Sequence, residues 1–273
     1  MSKNTCTIGF IGAGKMVSAI VRSLLREGTF SPNSLSCCSA NDGTSEKLAE
    51  TTAINRFESV DDMLSACPTV LVLGCKPQQL GELPPSVAEQ SSNCLILSIM
   101  AGITLPRLSK VFPKARNIVR SMPNTPGQIG HGATGYLFAQ PPSPEDGDII
   151  EQILSSLGAV YELSEEADLD RVTAISGSGP AYVFEFTCAL EEAARAIGLS
   201  GKLSKELAQH TITGAARLIE SAELPPKELR DQVTSPNGTT QAALESFSAD
   251  NLRTIVRHAV EAARARSVEL SRE

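Results

Sequence analysis

The sequence predicts an α/β fold: a doubly wound parallel sheet in the first half, followed by an all-helical second half. Three observations carry this. Short apolar runs alternate with helix-periodic segments through the first half, the pattern of strands joined by helical crossovers. Two of those runs, TVLVLG and CLILSI, lack polar alternation, as strands covered on both faces do. From about Asp168 strand-like runs give way to Ala/Leu/Glu segments with a 3.6-residue period.

In chain order the expected elements are TIGFI with a helix from Met16 to Arg26, LSCCS with a helix from Thr44 to Thr51, and TVLVLGC with a helix from Pro84 to Gln90. CLILSI follows with a helix from Leu105 to Val111, and then the strand RNIVRSM. GATGYLF and AVYEL, separated by a helix from Glu145 to Ser156, extend the sheet. The most linker-like stretch, PPSPEDGD, precedes a strand, so the boundary is placed near Glu165, giving domains 1–165 and 166–273. In the second half the periodicity predicts helices from Ala181 to Ile197, stopped by Gly198, and from Leu203 to Ser221, capped by Ser204 or a neighbour. A short helix from Pro226 to Val233 and two more, Thr240 to Phe247 and Asn251 to Leu270, complete it.

Composition narrows the function. A chain of 273 residues suits two domains, and 41% hydrophobic with 20% charged residues is an ordinary globular balance. No apolar run approaches the roughly 18 residues that span a bilayer, and MSKNTCTIGF lacks a signal-peptide pattern, so a cytoplasmic protein without membrane partners is expected. A net charge of −7 argues against nucleic-acid binding. Seven cysteines without CxxC spacing, most inside apolar strands, read as small core residues, and three histidines with no i, i+4 pair give no metal site.

The stretch TIGFIGAGKMVSAI reads as a buried strand, a glycine turn and a helix. Glycines allow a tight turn and close backbone approach, and the helix N-terminus favours an anion, so Ile11, Gly12, Ala13, Gly14, Lys15 and Met16 are candidates to hold a dinucleotide pyrophosphate. The third fingerprint glycine is absent. Val17 stands there, and is expected to push helix and strand slightly apart without abolishing binding. The second strand should end near the adenine ribose, where Ser39, Ala40 and Asn41 form a polar, uncharged tip with Asp42 one step on. Such a tip tolerates NADP, and without a neighbouring arginine the preference over NAD is slight. Two more strand ends, Gly74-Cys75-Lys76-Pro77 and Ala101-Gly102, bring small residues that leave room for a nicotinamide. Lys76 reads either as a donor to ribose or phosphate or as a solvated strand-end lysine, and Arg120 as a strand-end charge.

Four segments, GFIGAGKM, VRSMPNTP, AISGSGPAYVFEF and VTSPNGTTQAAL, together resemble the pyrroline-5-carboxylate reductase family, and the resemblance runs from residue 8 to about residue 270. It implies a Rossmann-type domain, a helical dimerisation domain, and reduction of a cyclic imine to L-proline by NADPH or NADH. It further implies a homodimer whose active site is shared between protomers, and decamers of five dimers. The chain departs from the family's usual pattern at Lys15 and Val17, at GCKP where AVKP is usual, and at Asn237 where glycine is common; asparagine tolerates positive φ better than most residues.

A protonated imine is already electrophilic, so hydride transfer needs placement and a partner for the ring nitrogen, and no strong general acid. The marked loops carry Ser, Thr and Gly, with no His, Asp or Glu. Thr240 is the candidate for the ring nitrogen, because a hydroxyl both donates and accepts. Ser235, Gly238 and Thr239 offer hydroxyl and amide donors to a substrate carboxylate at a helix N-terminus, although a Ser/Thr cap after a proline turn reads the same way. Ser178 is a further substrate candidate in SGSGPAY, where Ser176 and Tyr182 face either the ligand or, for Tyr182, the dimer core. Asn124 and Thr125 shape the nicotinamide-side loop, with ligand contact by Asn124 as the alternative. Two rival functions stand beside this one. A β-hydroxyacid dehydrogenase needs a lysine for the hydroxyl proton, and Ala181 to Gly198 has none. A non-catalytic nucleotide-binding regulator has no evident need for the SPNGTT loop.

Overall fold

The computed structural model describes residues 6–272, which form two compact units: one runs to Ser178 and takes back the chain from Ala263, and the other is Gly179–Ala262. The first unit is built on an eight-stranded sheet: β1 (Ile8–Ile11), β2 (Leu35–Cys38), β3 (Asn55–Arg56), β4 (Val70–Leu73), β5 (Leu95–Ser98), β6 (Asn117–Met122), β7 (Gly132–Phe138) and β8 (Gly158–Glu162). Their spatial order is β3-β2-β1-β4-β5-β6-β7-β8, doubly wound about β1. One pair departs from the expected parallel sheet: β6 and β7 are antiparallel. A short connection holding one 3-10 turn, Thr125–Ile129, joins them, too little chain for the crossover that parallel neighbours need.

Helices α1 (Lys15–Glu27), α2 (Thr44–Thr52) and α6 (Pro144–Ser155) lie on one face, and α3 (Val60–Ser65), α4 (Val87–Gln90) and α5 (Leu105–Val111) on the other. Alternate residues of β4 show why the run has no polar positions: Val70 and Val72 join Val17, Ile20, Leu24 and Ile150, while Leu71 and Leu73 join Met63, Leu64, Leu108 and Phe112. The sequence pattern missed β3 and α3. β3 has only two residues, both exposed, so neither period could register. The helix expected from Pro84 shrinks to Val87–Gln90, because Pro84 and Pro85 lie ahead of it, and a 3-10 turn, Pro77–Glu82, comes earlier.

After β8 come α7 (Glu166–Val172) and a π turn, Thr173–Gly177. Both pack with the sheet, which is why that unit extends to Ser178. Leu169 and Ala174 are fully buried, and the Asp170 carboxylate accepts the Ser267 hydroxyl at 2.6 Å from the end of the last helix. Arg120 is no solvated strand-end charge. It is 5% exposed and donates to Glu166 at 2.6 Å, while the same Glu166 oxygen accepts the Leu105 amide at 2.7 Å. A paired, hydrogen-bonded charge of this kind tolerates burial, and removing one partner strands the other.

The remaining helices are α8 (Gly179–Ala196), α9 (Gly201–Ser221), α10 (Pro226–Gln232), α11 (Thr239–Ala249) and α12 (Leu252–Leu270). The α9 cap is Ser200, whose hydroxyl accepts the Leu203 amide; Ser204 lies inside the helix and donates back to the Ser200 carbonyl. Large apolar side chains stay open on this unit, among them Phe184 (63% exposed), Leu218, Ile219, Ile255 and Val256. No helix among the described residues is long and apolar enough to cross a membrane.

Cys6, Cys37, Cys38 and Cys94 are buried as expected, Cys75 is half-buried, and Cys67 and Cys188 are exposed. Burial pushes the Cys37 thiol from 9.0 up to about 11, with its neighbour Cys38 adding to the rise. The folded protein therefore keeps a proton that the unfolded chain releases at lower pH. Stability from this site is complete below the unfolded value near 9.0 and is lost as pH climbs toward about 11. Cys37→Ala should flatten that alkaline limb of a denaturation-midpoint profile, and an unchanged slope would refute the assignment.

Candidate functional site

The carboxyl ends of β1, β2 and β4 open onto one crevice, the place where an open α/β sheet binds ligands. Ile11, Gly12, Ala13, Gly14, Ser39, Cys75 and Lys76, all anticipated from sequence, line it together. Gly12 adopts φ +100°, and a Cβ there would lie 2.6 Å from the backbone of Gly74. Gly14 caps α1 without any side-chain hydrogen bond and has open space where a Cβ would stand. The helix thus presents unused amides above a bare backbone. That cradle fits a dinucleotide pyrophosphate, held by the amides after Gly12.

The missing third glycine has a structural answer. Val17 is 1% exposed, and a Cβ built on Gly74 would lie 2.2 Å from its Cγ2. The end of β4 gives up its side chain where the helix keeps one, so Val17 packs into the space that Gly74 leaves. The smallness of Gly74 therefore makes room for both Val17 and Gly12. Cys75, next along, contacts Met100, and burial keeps its thiol above the ordinary value.

At the ribose end the lining side chains flank Asn41, which is exposed: Ala40 on one side and Asp42 on the other. The Asp42 carboxylate accepts the Thr44 hydroxyl at 2.6 Å, the Thr44 amide at 3.0 Å and the Ser39 hydroxyl at 3.3 Å. These bonds, the Thr44 hydroxyl first, hold Asp42 below its usual range, so the tip carries a charge that the sequence reading left one step away. Glu58, Ser59 and Val60 after β3, and Gln79, Glu82 and Leu83 from the 3-10 turn, also line the crevice. The first three were hidden because β3 has no readable pattern, and the others because the 3-10 turn Pro77–Glu82 has no periodicity to read. Lys76 lines it too, its amide bonded to Gln79, while Pro77 opens that turn.

Other candidates lie elsewhere. Lys15 lines an adjoining pocket between α1 and α2, and Met16 packs against the core. Ala101 is exposed after β5, and Gly102, at φ +74°, faces the Leu270 carbonyl, where a Cβ would stand 3.1 Å away. Asn124 is buried and engaged at both ends of its amide, donating to the Ser176 carbonyl and accepting the Ala133 amide, each at 2.9 Å. It ties the MPNTP loop to the π turn, whose last hydrogen bond runs from the Ser178 amide to the Thr173 carbonyl. Ser178 is half-buried at that end.

Ser235, Gly238, Thr239 and Thr240 belong to the second unit. Asn237 takes φ 58°, the left-handed conformation for which asparagine is suited, and its amide donates to Gln241 at 2.8 Å. Gly238 is the cap of α11, with no side-chain cap bond. A Cβ there would lie 2.3 Å from the Ser235 hydroxyl. The alternative role, a Ser/Thr cap, is therefore not taken up. The first amides of α11 and the half-buried Thr240 hydroxyl are left to meet an outside acceptor or donor.

Residues 166–270 match the family described as pyrroline-5-carboxylate reductase dimerisation, and residues 7–102 match one described as NADP oxidoreductase, coenzyme F420-dependent. The chain is 38% identical to a pyrroline-5-carboxylate reductase of Pseudomonas aeruginosa, covering 99% of this chain and 98% of that protein. It is 35% identical to the enzyme of that name from Glycine max, covering 97% and 96%. Among solved structures, a pyrroline-5-carboxylate reductase from Coxiella burnetii superposes with a TM-score of 0.91 at 34% identity, covering 98% of this chain and 99% of that one. A Plasmodium falciparum pyrroline carboxylate reductase with NADP bound does so at 0.83 and 29% identity, covering 98% of each.

Proposed function

The chain belongs to the pyrroline-5-carboxylate reductase family, so its reaction is the NAD(P)H-dependent reduction of 1-pyrroline-5-carboxylate to L-proline, and we propose which residues carry it. The nucleotide, when bound, supplies the hydride. Gly12, Ala13 and Gly14 and the first amides of α1 hold its pyrophosphate, and Ser39 and the residues around Asp42 meet the adenine ribose. Cys75, Lys76 and Pro77, Ala101 and Gly102, and the loop tied by Asn124 shape the rest of that side.

Thr240 holds the ring nitrogen. Its hydroxyl accepts from the protonated imine and donates to the neutral amine, so one side chain follows the nitrogen through the reaction. The amides of Thr239 and Thr240, with the Ser235 and Thr239 hydroxyls, bind the substrate carboxylate at the α11 N-terminus, where the helix dipole favours an anion. The observation that carries this is the uncapped start of α11: a row of Ser and Thr that caps nothing. Equilibrium binding of L-proline tests it. Ser235→Ala together with Thr239→Val should weaken proline at least several-fold while pyrrolidine, which keeps the ring nitrogen and lacks the carboxylate, is unaffected; equal loss for both would refute it.

We further propose that residues 166–273 work as a dimerisation and substrate domain, that the active site is shared within a cytoplasmic homodimer, and that five such dimers form the larger assembly. The exposed apolar side chains of α8, α9 and α12 support the dimer. Sedimentation should give no species smaller than the dimer at assay concentrations. An active monomer would overturn the shared site.

A further inference from the structure

The crevice that receives the adenine ribose is lined by the carboxylates of Asp42, Glu58 and Glu82, with Lys76 as its cation. Asp42 already occupies the Thr44 amide and hydroxyl at the start of α2, the donors a phosphate would otherwise use. A ribose 2′-phosphate placed there meets like charge. Beside it, sharing Ala13, Gly14 and Thr44, lies the pocket between α1 and α2, and its lining has the opposite character: Lys15, Arg22 and Lys47, with no carboxylate.

The three cations come together for helical reasons. Lys15 and Arg22 are seven residues apart and share one face of α1, while Lys47 sits three residues after Thr44 in the first turn of α2. None of the three forms an ion pair among the described residues; Arg22 is steadied by the Thr51 hydroxyl at 2.8 Å. Three unpaired cations facing one groove on a chain of net charge −7 make a local anion site. We propose that this pocket takes the 2′-phosphate of NADPH, with Lys47 and Arg22 as discriminating residues and Lys15 bridging toward the pyrophosphate turn. This rests on the dinucleotide reading of the crevice. It supplies the cation that was missing beside the strand tip and places it across the turn.

The test is equilibrium binding without imine. 2′-AMP should bind about 10-fold more tightly than 5′-AMP, with an affinity that falls as salt rises. Lys47→Ala and Arg22→Gln should each remove most of that advantage, and Lys47→Arg should retain it. The same variants should lower the NADPH-to-NADH ratio of kcat/KM about 10-fold. Equal loss of both nucleotides, an unchanged ratio, or inorganic phosphate that binds the pocket without competing with 2′-AMP would each overturn the proposal. A protein that shows the 2′-AMP preference but never reduces the imine would sink the reductase reading and leave this one standing.

Discussion

Thr240→Ala lowers kcat/KM for the imine by about 10- to 100-fold, with the Kd for NADPH barely changed. The loss corresponds to one hydrogen bond to a charged partner, about 1.5–3 kcal/mol. Two features make the variant clean. Gly238 is the α11 cap, so the helix loses no side-chain cap when the hydroxyl goes, and alanine is a better helix former than threonine. The fold should therefore survive, and a purely structural role would leave kcat/KM nearly unmoved. Thr240→Ser, which keeps the hydroxyl, should recover most of the rate. Full activity in the alanine variant would remove Thr240 from the reaction.

Gly74→Ala should weaken NADPH binding by at least 10-fold and lower stability by about 1–3 kcal/mol, the ordinary range for an overpacked contact. The new methyl would sit 2.2 Å from Val17 Cγ2, and valine cannot swing away, because its branched Cβ is stiff in a helix. Either α1 or the end of β4 must move, and both frame the turn at Gly12. Val17→Ala removes the obstruction, so the double variant should regain much of what Gly74→Ala lost, although Val17→Ala alone leaves a void. Measured as a double-mutant cycle, the two changes should couple by about 1–3 kcal/mol. Strictly additive losses would show that residues 17 and 74 do not accommodate each other.

That pair also shows what the sequence could and could not say. The glycine turn, the buried strands and the order of the helices were legible because each is a local pattern. Val17 at the third glycine position and GCKP at a strand end were both visible as departures, yet nothing local relates positions so far apart in the chain; only the sheet, which sets β1 beside β4, makes one the answer to the other. Asp42 was misplaced for a similar reason. It lies beyond the strand tip, and a turn brings it back to Thr44 and Ser39. Arg120 read as a strand-end charge because Glu166 is 46 residues away in the chain. Asn124 is a further case: its amide joins the MPNTP loop to the SGSG stretch, two segments that are far apart in the chain and that were each singled out separately.

The decisive measurement is nicotinamide absorbance, followed with and without 1-pyrroline-5-carboxylate, with proline assayed in the product. NADPH and NADH should be oxidised only when the imine is present, one proline forming per coenzyme consumed. Folded protein that binds the nucleotide and leaves it unoxidised in the presence of the imine would contradict the reductase reading.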